Sequence, residues 1–486
     1  EGQGECNRFN HVNRGLFLGE SQNLDRRHEI VHARIKYPIA FAGGPASTLS
    51  FMFRLILTFL SFLSSVLLAE HSVVSRGQAY SVLTAAKEGN SSRDKRTDGL
   101  EGKIFTGYQG WFRAPGDGSG LGFSHYEKNG KFEPGSCSID LWPDLKDFTP
   151  AEKFATPFRH AGGGVAHVFS SLHPLTVNRH FQWMKEYQID GAFVQRFAIH
   201  GSKEPKDHRR LKFENQKLML CRDAAIRNDR HWALMYDLSG IDNQDFERLA
   251  EDWKNLRKRM QLGTDPKDSA YLRLNGKPLV GIWGVGFNDD REYGLEKTEW
   301  FIRLLKHNPD WGGMSILLGV PYYWRDLDRD AVADPKLHRI LDMADVISPW
   351  SVGRYSGLPD DYAEIVSRQV ADRKWCDQRK IDYLPVLFPG FSWKNMKGPT
   401  SVSIPRQGGK FFRKQFQATA LAGSTSAYVA MFDEMDEGTV VFKCTNQVPI
   451  GKSSFETFKG LPSDHYLKLC RDGRRMIREG IAQDKR

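Results

Sequence analysis

Residues Met431 to Thr439 read MFDEMDEGT, and four of these nine side chains (Asp433, Glu434, Asp436 and Glu437) are carboxyl groups. Like charges at that density repel, so the spacing calls for a purpose. Glycoside cleavage needs one carboxyl group held protonated to serve the leaving oxygen and a second, ionised one as base or nucleophile. Mutual repulsion assists that division, because two adjacent carboxylates do not both ionise easily and one pKa rises. Glu434 and Glu437 stand three apart. With the chain turning at Gly438 and Thr439, both can project into one pocket as a catalytic pair. Asp433 and Asp436 are then directed toward backbone donors or basic neighbours. Two competing readings are a solvated acidic turn and a calcium or magnesium site, since clustered oxygens suit hard cations. The buried-type run AYVAM (427–431) before the cluster argues against the solvated turn.

Such a cluster must be held by a rigid frame, and the chain supplies a repeated one. Short apolar runs recur at KIFTGYQGWF (103–112), GAFVQRF (191–197), WALMYDLSG (232–240) and PLVGIWG (278–284). They continue at SILLGVPYYW (315–324), DVISPWS (345–351), YLPVLFPGF (383–391) and AYVAMFDE (427–434). Amphipathic helical patterns such as VNRHFQWMKEYQ, NQKLMLCRDAAIRN and KTEWFIRLLKHN lie between them. Runs this apolar fit strands covered on both faces, as in a parallel sheet. Eight strand–helix units predict a single (β/α)8 barrel with long loops over residues 102–486. A doubly wound open sheet is the alternative, but no GxGxxG or GxxxxGK[ST] follows a strand.

In a barrel the active site lies at the C-terminal strand ends. Reading those ends gives Tyr108, Gln109, Trp111, Gln195, Arg196, Asp237, Trp283, Tyr322, Tyr323, Trp324, Trp350 and the acidic cluster. Aromatic rings and hydrogen-bonding groups around paired carboxylates compose a carbohydrate cleft. Tyr108, Trp111, Gln195, Asp237, Trp283, Trp350 and Asp436 are therefore the expected substrate contacts.

The composition agrees with a large packed core: 40% of residues are apolar and 12% aromatic. The formal charge of +10 is spread along the chain, and no zinc-finger, RRM or KH signature accompanies it, so no nucleic-acid partner is expected. MFRLILTFLSFLSSVLLA (52–69) has the basic start, apolar middle and small-residue exit of a signal peptide. A secreted or periplasmic protein is the expectation, with membrane contact only through that segment if it stays uncleaved. Residues 1–51 are read as an over-extended gene model, and the polar stretch 70–101 as a flexible linker. The five cysteines past the signal segment show no ligand spacing; one bridge, such as Cys137 to Cys444, is conceivable.

The motif FDEMDEGT (432–439) resembles the FNEWHEGT motif of glycoside hydrolase family 99, the endo-α-mannosidase and endo-α-mannanase family. PVLFPGFSW (385–393), RQGGKFFRKQFQAT (406–419), FSSLHPLTVNRHFQWMKEYQIDGAFVQ (169–195) and IFTGYQGWF (104–112) are similar to further segments of that family, in the same order. Two departures stand out. Met435-Asp436 replaces a Trp-His pair between the glutamates, and the second strand ends in Gln195-Arg196 where the family has a Trp-rich segment.

The resemblance implies a (β/α)8 barrel that works with retention of anomeric configuration and without metal or other cofactor. It implies that Glu434 deprotonates the substrate 2-hydroxyl, whose oxygen attacks C1 to form a 1,2-anhydro sugar. Glu437 would be general acid to the leaving group and then base to water. Attack by O2 from behind the leaving group requires the two to be trans. The expected substrates are therefore 1,2-trans glycosides: α-mannosides first, with xylosides or arabinosides as further cases. A barrel that binds glycans without cleaving them, or one with a structural Ca2+ at the acidic cluster, is the alternative. The oligomeric state is left open.

Overall fold

The computed structural model describes residues 73–87 and 98–484. The expected extension (1–51) and signal segment (52–69) lie outside the described residues.

The strands are β1 (Ile104–Tyr108), β2 (Phe154–Arg159), β3 (Val165–Val168), β4 (Gly191–Phe197), β5 (His231–Asp237), β6 (Arg273–Leu274) and β7 (Lys277–Trp283). They continue with β8 (Ser315–Pro321), β9 (Val346–Trp350), β10 (Asp382–Tyr383), β11 (Val386–Leu387), β12 (Phe391–Ser392), β13 (Ser403–Ile404) and β14 (Ala427–Val429). The main sheet runs β10-β9-β8-β7-β5-β4-β1-β14-β11, and all pairings along it are parallel. Every residue of β1, β4 and β8 is buried, as strands covered on both faces require. β2 and β3 form a separate antiparallel hairpin in the connection after β1.

All eight expected strands are present, and the seventh is broken. Pro385 has no N–H to give to a neighbour. The residues before it pair with β9, where the Leu384 N–H donates to Ile347 O at 2.9 Å. Those after it pair with β14, and Pro385 O accepts the Tyr428 N–H at 2.9 Å. The barrel closes through this split position.

The helices are α1 (Arg76–Ser81), α2 (Pro174–Glu186), α3 (Ala198–Ser202), α4 (Arg209–Asn228), α5 (Phe246–Asn255) and α6 (Leu295–His307). They continue with α7 (Lys336–Leu341), α8 (Asp361–Asp377), α9 (Lys394–Lys397), α10 (Lys410–Leu421) and α11 (His465–Asp484). From α2 onward they cover the outside of the barrel in the strand–helix alternation anticipated from sequence.

One expectation is corrected. The charged middle of the stretch 70–101 suggests a flexible linker, yet residues 74–86 pack on the barrel. Ser75 caps α1 in a capping box with Gln78, and Ala79, Tyr80, Leu83 and Ala86 are buried. The Tyr80 hydroxyl donates to Asp252 Oδ1 at 2.6 Å, and Asn215 donates to Ala79 O at 2.8 Å. Apolar residues at helical spacing outweigh the polar flank. Cys137, Cys221, Cys376, Cys444 and Cys470 are all buried and free, so the bridge between Cys137 and Cys444 is not formed. Among the described residues no helix is long and apolar enough to cross a membrane.

Candidate active site

The acidic motif is the tip of a tight excursion at the C-terminal end of β14. Sheet pairing stops at Val429, but the chain stays fastened to its neighbours. The Ala430 N–H donates to Leu387 O at 2.8 Å, and the Phe432 N–H donates to Gly107 O at 2.9 Å. The return leg bonds back through Val441 N–H to Met431 O and Phe442 N–H to Phe432 O, both at 3.1 Å. Gly438 makes the turn at φ +64°, where a Cβ would meet the Ser392 nitrogen at 2.8 Å.

The four carboxyl groups go to different partners. Asp433 is an anchor: its two oxygens accept the Gln109 and Gly110 N–H groups at 2.8 and 2.7 Å, tying the motif to the turn after β1. Burial raises its carboxyl to about 6 against the pull of those two bonds. Glu434 accepts Gln109 Nε2 on Oε1 at 2.7 Å and the Thr439 hydroxyl on Oε2. Burial is the main cause that lifts it to about 7; the bonds from Thr439 and Gln109 oppose the rise, and the charges of Asp433 and Asp237 add to it.

Glu437 is half-buried, and among the described residues its carboxyl receives no hydrogen bond. Burial raises it well above the ordinary carboxylate value, and Glu434, Asp436 and Asp237 push it further, with Lys397 opposing. Asp436 is 2% exposed and faces His125, whose Nδ1 is 3.3 Å from Oδ2. Of its two expected placements, toward a basic neighbour and against substrate, this buried contact with His125 is the first, and the second is corrected. Burial and the neighbouring Glu434 charge keep its carboxyl well above the ordinary range.

Strand parity sorts the remaining candidates, because successive side chains point to opposite faces. Gly107 faces the lumen, where a Cβ would strike Met431 and the Tyr428 hydroxyl at 2.2 Å. Tyr108, one residue later, therefore faces out: it is fully buried, with its hydroxyl 3.0 Å from His180 Nδ1 on α2. The expectation that it contacts substrate is corrected. Gln195 faces in and donates from Nε2 to the Tyr428 hydroxyl at 3.1 Å, buried at the floor of the site. Arg196 faces out and is locked to Asp252 on α5, Nε to Oδ2 at 2.8 Å.

Asp237 is partly exposed at the end of β5, and burial raises its carboxyl above the usual value. Trp283 and Trp350, at the ends of β7 and β9, are partly exposed and meet edge to face at 5.6 Å. Arg291 lies over Trp283 at 5.1 Å and pairs with Asp289. Trp111 is not an open platform. One face lies on His125 at 4.1 Å and 5°, the other on Phe197 at 5.5 Å and 18°. Its candidacy as a sugar-stacking ring is corrected by that sandwich.

Several working residues are missed by the sequence reading. Lys217, in the interior of α4, is fully buried and donates to Gln109 O at 2.9 Å and Gln195 O at 2.8 Å, with Glu214 at 2.8 Å as its ion pair. It ties the turn after β1 to β4. Thr439 lies inside the quoted motif, where a hydroxyl two residues past Glu437 was available to notice. His125 sits in a loop with no motif at all. Among the described residues no group of three or more His, Cys, Asp or Glu side chains is placed to hold a metal ion. The acidic cluster, with its carboxyls turned to separate partners, does not have the converging oxygens a calcium site needs.

No family model and no curated relative matches the sequence. Solved structures do. The GH99 endo-α-mannosidase from Bacteroides thetaiotaomicron superposes with a TM-score of 0.56 at 15% identity, covering 79% of this chain and 100% of that one. The same enzyme in complex with bis-tris propane gives 0.54 at 14% identity, covering 80% of this chain and 100% of that one. At such identities the likeness is one of architecture: this chain has the (β/α)8 barrel fold of those structures.

Proposed function

We propose that this chain is an exported, retaining glycoside hydrolase that cleaves 1,2-trans glycosidic bonds, α-mannosides foremost, with Glu434 and Glu437 as its working pair. The observation that carries the proposal is the unequal bonding of the two glutamates. Hydrogen bonds to a carboxylate favour its charged form, and Glu434 receives them on both oxygens. Glu437 receives none among the described residues and faces the charges of Glu434, Asp436 and Asp237. The proton that the pair shares therefore belongs on Glu437. That gives an ionised base beside a protonated acid, the division that two-step glycoside cleavage requires.

In the first step Glu434 takes the proton of the 2-hydroxyl as O2 attacks C1, and Glu437 gives its proton to the departing glycosidic oxygen. A 1,2-anhydro sugar results. In the second step the ionised Glu437 deprotonates a water that attacks C1, the C1–O2 bond opens, and Glu434 returns the proton to O2. Two inversions give net retention. Trp283, Trp350 and Asp237 flank the pair as sugar contacts. The endo-α-mannosidase likeness in fold and the collinear motifs support the sugar class, and the segment from Met52 to Ala69 supports export.

The test is the anomeric configuration of the first-formed product, followed by NMR on α-mannan oligosaccharides. Retention, with loss of cleavage in Glu434→Gln and Glu437→Gln, is the expected outcome. An inverted product, or glycan binding without cleavage by the parent chain, would overturn it.

A further inference from the structure

His125 belongs to none of the motifs from which the pair was located. It stands in the loop after β1 at φ 64°, and its backbone carbonyl accepts the Ser138 hydroxyl. Its ring lies flat on Trp111, with centroids 4.1 Å apart and planes at 5°, and Trp111 is stacked in turn on Phe197. Nδ1 is held 3.3 Å from Asp436 Oδ2. Backbone, one ring face and one nitrogen are thus all fixed by the protein. The side chain is nevertheless 33% exposed, against 2% for Asp436, and among the described residues Nε2 has no hydrogen-bond partner. Trp111 and Phe197 mark the C-terminal ends of β1 and β4, and Asp436 stands between Glu434 and Glu437. The ring therefore stands by the C-terminal ends of β1 and β4, in contact with the residue between the two glutamates.

An imidazole tied at Nδ1 has its orientation and its tautomer set by that tie. When the buried Asp436 carboxyl donates to Nδ1, Nε2 carries a hydrogen; when Asp436 is ionised and accepts from Nδ1, Nε2 offers a lone pair. Burial, together with Arg113, Arg210, His200 and Lys217 around the ring, favours the neutral imidazole. A neutral imidazole nitrogen matches a group that can both give and take a hydrogen bond, and a sugar hydroxyl is such a group.

We propose that His125 is a substrate-binding residue that takes a sugar hydroxyl on Nε2 next to the scissile bond, with Asp436 and Trp111 as its positioning residues. The proposal rests on the hydrolase reading above. It gives the buried carboxyl between the two glutamates a role: it aims the histidine.

The test compares His125→Phe with the parent chain on α-mannan oligosaccharides. Phenylalanine keeps a flat ring on Trp111 and removes both nitrogens. The expected result is a KM raised about tenfold, the loss of one directional hydrogen bond, with the thermal midpoint near the parent value. Asp436→Ala, which lets go of Nδ1, is expected to raise KM in the same direction, and Asp436→Asn, whose amide can still hold Nδ1, to restore part of it. A His125→Phe chain with parent KM and kcat would overturn the proposal and leave the hydrolase reading standing; a parent chain that cleaves none of the oligosaccharides would overturn both. The readout independent of turnover is the side-chain 15N resonance of His125 Nε2 in the Glu437→Gln chain, titrated with the same oligosaccharides. Movement of Nε2 is expected, and a fixed Nε2 while other site resonances move would sink the assignment.

Discussion

Gln109 donates from Nε2 to Glu434 Oε1 at 2.7 Å, while its own backbone N–H is held by Asp433. The turn after the first barrel strand and the excursion after the last one thus fasten the same carboxyl. A carboxyl gripped from beyond the ends of two paired strands is held in a fixed geometry, which is what a preorganised base needs.

The grip sets a pH dependence. Thr439→Val removes one of the two bonds that favour ionised Glu434, so its pKa rises and the acidic limb of the kcat/KM profile moves to higher pH. A hydrogen bond to a charged group is worth about 1.5–3 kcal/mol, which sets the displacement at about one to two pH units. Initial rates across the pH range check this. An unmoved acidic limb would show that Glu434 is not the ionising base.

Stability carries the opposite signature. Glu434 lies at about 7 when folded against an ordinary 4.5, so the folded chain binds this proton more tightly than the unfolded one. The stability it contributes is full below the ordinary value and is lost as pH rises through about 7. The shift corresponds to up to about 3 kcal/mol. Glu434→Gln can keep both hydrogen bonds without the charge, and is expected to melt higher than the parent at pH 8 and level with it near pH 5. Paired thermal melts at the two pH values test the sign.

Arg196 is a structural residue. Asp252 stays below its usual carboxylate value although burial alone would raise it, because Arg196, Tyr80 and Tyr236 all bond to it. Arg196→Met leaves that charge buried and should cost about 3–5 kcal/mol in urea unfolding. Tyr80→Phe should cost about 1 kcal/mol, the net worth of one hydrogen bond. Neither is expected to change KM in the folded fraction.

Tyr108 and Trp350 separate the two faces of the barrel. Tyr108→Phe loses only the contact with His180 and should leave kcat and KM unchanged. Trp350→Ala removes a partly exposed ring at the lumen and should raise KM about tenfold with a smaller effect on kcat. Steady-state kinetics of the two variants test which of the two rings meets substrate.

Much of this arrangement was legible beforehand because it follows from local patterns. The apolar runs located all eight strand positions, and the charge density of MFDEMDEGT marked the end of the last one. What escaped was parity and long-range packing. Tyr108 is near a strand end, but one residue of register turns it from lumen to helix layer. Pro385 stood in plain view inside a run read as continuous, and its missing N–H splits that strand. His125 and Lys217 carry no local signal, since their roles come from partners more than 300 residues away for the pair His125–Asp436 and 108 residues away for Lys217–Gln109.

The central claim is that Glu434 and Glu437 act as base and acid on a 1,2-trans glycoside. Its most direct test is hydrolysis of a panel of 1,2-trans and 1,2-cis oligosaccharides by the parent chain beside Glu434→Gln and Glu437→Gln. Cleavage confined to 1,2-trans members and lost in both variants is the predicted result. Cleavage that survives both substitutions, or that extends to 1,2-cis substrates, would contradict it.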